Sequence, residues 1–120
     1  MTKVMVVDDE IDVREMLDLM MKNEGYDTEM AEDGTDFLEK IDEFNPDIVT
    51  LDVMMPGPTT VEILEKLKKK KSKPKMILLT VVRIDRDEKK IFERGNVVDY
   101  IKKPFDIDVL MDAVKKHELQ

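Results

Sequence analysis

The sequence contains no cysteine, no tryptophan, one histidine and four glycines. Without cysteine, thiol catalysis and cysteine-based metal centres are excluded, and redox compartment is left open. No apolar run exceeds four residues, far short of the ~20 needed for a membrane-spanning helix. The first residues have no signal-peptide shape, so a soluble, cytoplasmic protein without membrane contact is expected. With 120 residues the chain suits one domain, residues 1–120, able to fold without disulfides or structural zinc. A formal charge of −8 argues against direct binding to nucleic acid, whose phosphates would repel it.

What is present is an unbroken alternation of two hydrophobic periods. "KVMVVD" (3–8), "DIVTLD" (47–52) and "KMILLT" (75–80) are short continuous apolar runs, as strands covered on both faces should be. "YDTEMA" (26–31) alternates, with Tyr26, Thr28 and Met30 on one side, which suggests a half-exposed edge strand. "VVDYI" (97–101) is a fifth strand. Between them lie helical stripes. Val13, Met16, Leu17 and Met20 mark the first, and Phe37, Leu38, Ile41 and Phe44 the second. Val61, Leu64 and Leu67 mark the third, and Ile84, Ile91 and Phe92 a thin fourth. Ile107, Leu110, Met111 and Val114 mark the last. Alternating strands and helices imply an α/β fold: a doubly wound, five-stranded parallel sheet with helices on both faces. With the second strand at the edge, the expected order is 2-1-3-4-5, flavodoxin-like, and ligands should bind where that order reverses.

The reversal lies between strands one and three, which end in Asp8-Asp9 and in Asp52. Carboxylates about 4 Å apart repel by roughly 4 kcal/mol at an effective dielectric near 20, so such a cluster calls for a cation or shared protons. Hard oxygen donors without Cys or His suit Mg2+, with Mn2+ possible. Taken singly, Asp9 reads equally as a helix cap and Asp52 as a turn residue before Pro56. Strand four, however, ends in Thr80, a hydroxyl donor. Strand five is followed by "KKPF", where Pro104 follows a phosphate-suited Lys103. A nucleophilic carboxylate, two further acids, a hydroxyl and an ammonium are the parts required for phosphoryl transfer to aspartate.

Four motifs, "VVDDE", "TLDVMMPG", "ILLT" and "DYIKKPF", together make the chain resemble the receiver domains of two-component response regulators over essentially its whole length. The resemblance implies a signalling switch rather than an enzyme. It makes Asp52 the phosphoacceptor, served by a sensor histidine kinase or phosphotransfer protein. Asp9 becomes the direct Mg2+ ligand, Asp8 the acid that orients a metal-bound water, and Met54 the donor of a backbone carbonyl to the metal. Thr80 becomes the switch hydroxyl, Tyr100 the switch aromatic and Lys103 the phosphoryl contact. It further implies a downstream protein target met around the fourth helix, fifth strand and fifth helix, and a monomer or weak phosphorylation-dependent dimer. The domain either stands alone or comes from a longer regulator. Met54 and Val82 occupy the two neighbouring positions that matter for hydrolysis in this family; both are apolar, which implies slow self-dephosphorylation.

The turn after Pro56 departs from the family pattern: Pro58, Thr59 and Thr60 stand where Met, Asp and Gly are common, so Thr59 or Thr60 is expected to cap the third helix. Val81 follows the threonine where small residues are commoner. "KLKKKKSKPK" (66–75) reads as a helix end running into a solvated loop, with partner docking or phosphate binding as the alternative. His117 is expected on the surface. Two rival functions remain: an interaction module independent of phosphate, and a Mg2+-dependent aspartyl phosphohydrolase. The second usually has another acid two residues after its nucleophile, where this chain has Met54. A Rossmann nucleotide site is weaker still, because no G-x-G-x-x-G follows the first strand.

Overall fold

The apolar runs form the inner strands of the sheet. The computed structural model describes residues 2–81 and 84–118, so Val82 lies outside the described residues. In chain order the elements are β1 (Lys3–Val7), α1 (Ile11–Asn23), β2 (Asp27–Ala31), α2 (Gly34–Phe44), β3 (Ile48–Asp52), α3 (Thr60–Leu67), β4 (Lys75–Thr80), α4 (Arg86–Arg94), β5 (Val97–Lys102) and α5 (Ile107–Glu118). All pairings are parallel and the order is β2-β1-β3-β4-β5, the flavodoxin-like arrangement. β3 is buried at every position, whereas the edge strand β2 buries only Ala31.

Because strand side chains alternate faces, the sheet separates two cores. Met5, Val7, Val49, Leu51, Met76 and Leu78 meet α2, α3 and Phe92 of α4 on one face. Val4, Val6, Ile48, Ile77 and Leu79 meet α1 and α5 on the other. The first crossover runs one way along the sheet and the next three the other way. With a single crossover hand, this puts α1 on the face opposite α2, α3 and α4.

Helix ends follow local chemistry. Thr59 caps α3: its Oγ1 accepts from Glu62 N–H at 3.2 Å while Glu62 accepts from Thr59 N–H at 3.1 Å, a reciprocal box. Asp85 does the same for α4 and Asp33 caps α2. Gly57 turns the chain with φ +94°, a conformation that favours glycine. The Lys66–Lys75 block behaves in part as a helix end, since Lys73 Nζ donates to the carbonyls of Leu67 and Lys68 at 3.1 and 2.7 Å.

Several sequence expectations are corrected. α1 buries Leu17, Asp18 and Met21, while Met16 is exposed; the true stripe is rotated by one residue. Asp18 tolerates burial because Lys22 pairs with it at 2.9 Å. Val61 and Ile91 are exposed, Ile63 takes the buried place on α3, and Ile84 precedes α4. His117 is buried, not on the surface. It continues the Leu110–Val114 stripe at helical spacing, and its Nε2 lies 3.0 Å from Asp99 Oδ2 on β5.

Candidate functional site

The site forms where β1 and β3 end side by side, with Val7 opposite Leu51 in register. One more residue along each strand brings Asp8 and Asp52 to the crevice, both buried, with exposed Asp9 following. One carboxylate oxygen from each of Asp8, Asp9 and Asp52 lies within 4.8 Å of the others. The capping alternative for Asp9 fails: Glu10 is the N-cap residue of α1 and makes no side-chain cap bond. Asp8 holds that helix start instead, its Oδ1 accepting from Glu10 N–H at 2.9 Å.

Lys103 reaches the crevice from the segment after β5. Its Nζ lies 3.2 Å from Asp52 Oδ2 and 3.6 Å from Asp8 Oδ2. Lys103 N–H also donates to the Thr80 carbonyl at 2.8 Å, which ties the ends of β4 and β5 together. The other oxygen of Asp52 accepts from Met54 N–H at 3.0 Å, while the Met54 side chain stands in solvent. Thr80 is buried at the end of β4, next to the strand that carries Asp52. Tyr100 lies on β5. Its ring packs on the α2–α4 core, 6.4 Å from the Phe92 ring, with Lys89 Nζ 5.9 Å above it. Its buried hydroxyl has no hydrogen-bond partner among the described residues, and burial followed by nearby Glu93 raises its pKa.

Three carboxylates facing one ammonium leave a surplus of negative charge. Burial pushes the Asp8 carboxyl up from its ordinary 3.8; the Glu10 N–H and Lys103 oppose this, and Asp52 and Asp9 add to it. Asp8 Oδ2 is buried and makes no hydrogen bond, an arrangement that is costly unless a cation serves it. The donor set is all hard oxygen, so it fits Mg2+ or Mn2+, with Asp8, Asp9 and Asp52 as the residues able to hold the ion. Sequence reasoning missed one participant. Arg14 on α1 donates through Nη1 to the Asp8 carbonyl at 2.7 Å and fixes the loop that carries two of the acids. A cation in the first turns of a helix, against the dipole, was the available signal.

Residues 4–115 match the family described as "Response regulator receiver domain". The chain belongs to the response regulator receiver domain family. Solved receivers resemble it throughout. The response regulator protein TrrA of Thermotoga maritima, in a complex with Mg2+ and BeF, is 36% identical. That match covers 98% of this chain and 99% of TrrA, with a TM-score of 0.79. A second Thermotoga maritima structure, histidine kinase ThkA in complex with TrrA, matches at 37% identity, 98% of each chain and a TM-score of 0.79. Chemotaxis protein CheY4 of Vibrio cholerae is 26% identical over 97% of this chain and 98% of its own, with a TM-score of 0.83. A receiver domain is a signalling protein of two-component systems, and the acidic crevice of this one could bind a metal. Among the described residues no helix is long and apolar enough to cross a membrane.

Proposed function

We propose that the protein is a phosphorylation-activated switch, a single receiver unit over residues 1–120. It accepts a phosphoryl group onto Asp52 from the phosphohistidine of a sensor histidine kinase or phosphotransfer protein. The observation that carries this reading is Asp52 itself, a buried carboxylate set between a lysine at 3.2 Å and two further acids. A carboxylate oxygen of Asp52 attacks phosphorus, an O–P bond forms, and the P–N bond to the histidine breaks, leaving the proton with the imidazole. Asp9, Asp52 and the Met54 carbonyl, with Asp8 through a water, would hold Mg2+, which when bound would supply charge neutralisation for the transferring oxygens. Lys103, already in the crevice, follows the phosphoryl group and stabilises its negative charge. Thr80 donates its hydroxyl to the phosphoryl group. Tyr100 changes position with it and alters the α4–β5–α5 surface for a downstream protein target.

The TrrA complexes support each half of this reading, one holding Mg2+ and BeF and the other a histidine kinase. The domain catalyses only its own phosphorylation and slow dephosphorylation, works as a monomer or a weak phosphorylation-dependent dimer, and meets its kinase in the cytoplasm. Beryllofluoride tests the switch. With Mg2+ it should shift the amide NMR signals of Thr80, Tyr100 and α4, and Asp52→Asn or EDTA should abolish the shifts. Equal shifts in Asp52→Asn would remove Asp52 as the acceptor, and no Mg2+-dependent shift in the parent would favour a phosphate-independent module.

A further inference from the structure

Asp9 is the least anchored of the three acids in the crevice. Asp8 and Asp52 are buried where their strands end, but Asp9 is exposed, on the short link between β1 and α1. Among the described residues its carboxylate makes no hydrogen bond or ion pair. One of its oxygens nevertheless lies within 4.8 Å of oxygens of Asp8 and Asp52, against their mutual repulsion.

The bonds around Asp9 converge on Arg14. The Asp8 carbonyl accepts from Arg14 Nη1 at 2.7 Å, and the Glu10 carbonyl accepts from Arg14 N–H at 2.9 Å. One residue thus holds both neighbours of Asp9, while Glu10 N–H donates to Asp8 Oδ1 and closes the link. With Asp8 N–H on the Ala31 carbonyl at 3.2 Å, only Oδ2 of Asp8 is left without a hydrogen bond. Local helix chemistry does not account for Arg14. It stands in the first turn of α1, where a cation opposes the dipole, and it forms no ion pair among the described residues. Its half-buried guanidinium donates instead to a backbone carbonyl, in a charge-assisted bond.

We propose that Arg14 is a positioning residue of the metal site, holding the Asp8–Asp9 link in the conformation that presents both carboxylates to one ion. The inference rests on the metal reading of the crevice. Charge and position make opposite demands at this residue. Arg14 adds positive charge near a cation site, so by Coulomb's law alone its removal should tighten Mg2+ binding. Through position its removal should weaken binding, since partners that orient metal ligands typically contribute about ten- to hundredfold in affinity. Position outweighs charge here, because carboxylates that repel one another move apart once the link that holds them is released.

Titration of the whole domain with Mg2+, followed by amide NMR, tests this. Arg14→Ala suits a helix and should fold, yet it should weaken Mg2+ binding about tenfold. It should also move the Asp9 and Glu10 amide signals already in EDTA. Arg14→Met, which keeps the aliphatic stem without donor or charge, should bind as weakly. Arg14→Lys, which keeps the charge and a donor, should recover part of the affinity. In saturating Mg2+ the phosphorylation rate of Arg14→Ala should approach that of the parent. Ile48→Val, at the other end of β3 from Asp52, should be less stable in urea but bind Mg2+ like the parent. Parent-like or tighter binding in Arg14→Ala or Arg14→Met would overturn the proposal, as would equal weakening in Ile48→Val. Absence of any Mg2+-dependent shift in the parent would overturn the metal reading, and the proposal with it.

Discussion

Replacing Asp8 by Asn should make the metal-free domain more stable and deprive it of its response to Mg2+. The carboxylates of Asp9 and Asp52 come within 4.8 Å of that of Asp8. At an effective dielectric near 20 each repels it by at least about 3.5 kcal/mol. Lys103 Nζ, 3.6 Å from Asp8 Oδ2, returns about 4.6 kcal/mol on the same scale. The balance is unfavourable by about 2 kcal/mol before the desolvation of a fully buried carboxylate is counted, and the exposure of Asp9 weakens its share. Asparagine keeps an acceptor for Glu10 N–H and removes the charge. Asp8→Asn should therefore gain about 1–2 kcal/mol in EDTA, or about 3–8 °C in Tm. Mg2+ at a hundred times its Kd should add about 2.7 kcal/mol to the parent and little to the variant, so the order of stability reverses. The pH dependence has a definite sign. The folded pKa of Asp8 is raised above 3.8, so its contribution is fully present below that value and is lost as pH rises through the folded pKa. The advantage of Asn in EDTA should thus disappear in acid. Thermal unfolding at neutral and acid pH, in EDTA and in Mg2+, measures all of this. A variant less stable than the parent in EDTA, or one with the parent's full Mg2+ stabilisation, would refute the reasoning.

Three further outcomes are expected. Thr59→Ala should cost about 1 kcal/mol in urea unfolding, and Thr60→Ala clearly less, because Thr59 alone caps α3. Gly34→Ala should destabilise by about 1–3 kcal/mol, since its Cβ would come 2.6 Å from Ile63 Cδ1; Ile63→Val, which deletes that methyl, should recover part of the loss in a double-mutant cycle. Met54→Asn should shorten the lifetime of the acyl phosphate in Mg2+, because a polar side chain beside Asp52 can orient attacking water where methionine cannot; an unchanged decay rate would remove Met54 from the account.

The sheet was legible because burial on both faces leaves β1, β3 and β4 almost no polar residues, and the exceptions at their ends, Asp8, Asp52 and Thr80, therefore stood out. Helix faces were less legible. In α1 the burial of Asp18 beside Lys22, with Met16 left in solvent, inverts what residue type suggests. His117 shows the same limit: its position on the α5 stripe called for burial, but only Asp99, 18 residues away on β5, makes that burial tolerable. Three-dimensional partners of this kind leave no local trace. In the site, the acids and Lys103 could be read from their strand ends. Arg14 left only the weak signal of a cation near a helix start, and its bond to the Asp8 carbonyl, like the packing of the Tyr100 ring beneath Lys89, could not.

The central claim is that Asp52 receives the phosphoryl group. Incubation with a phosphorylated histidine kinase and Mg2+, followed by borohydride trapping and peptide mapping, tests it most directly. The account predicts a single label at Asp52, absent in EDTA and in Asp52→Asn. Label at another residue, or undiminished labelling of Asp52→Asn, would contradict it.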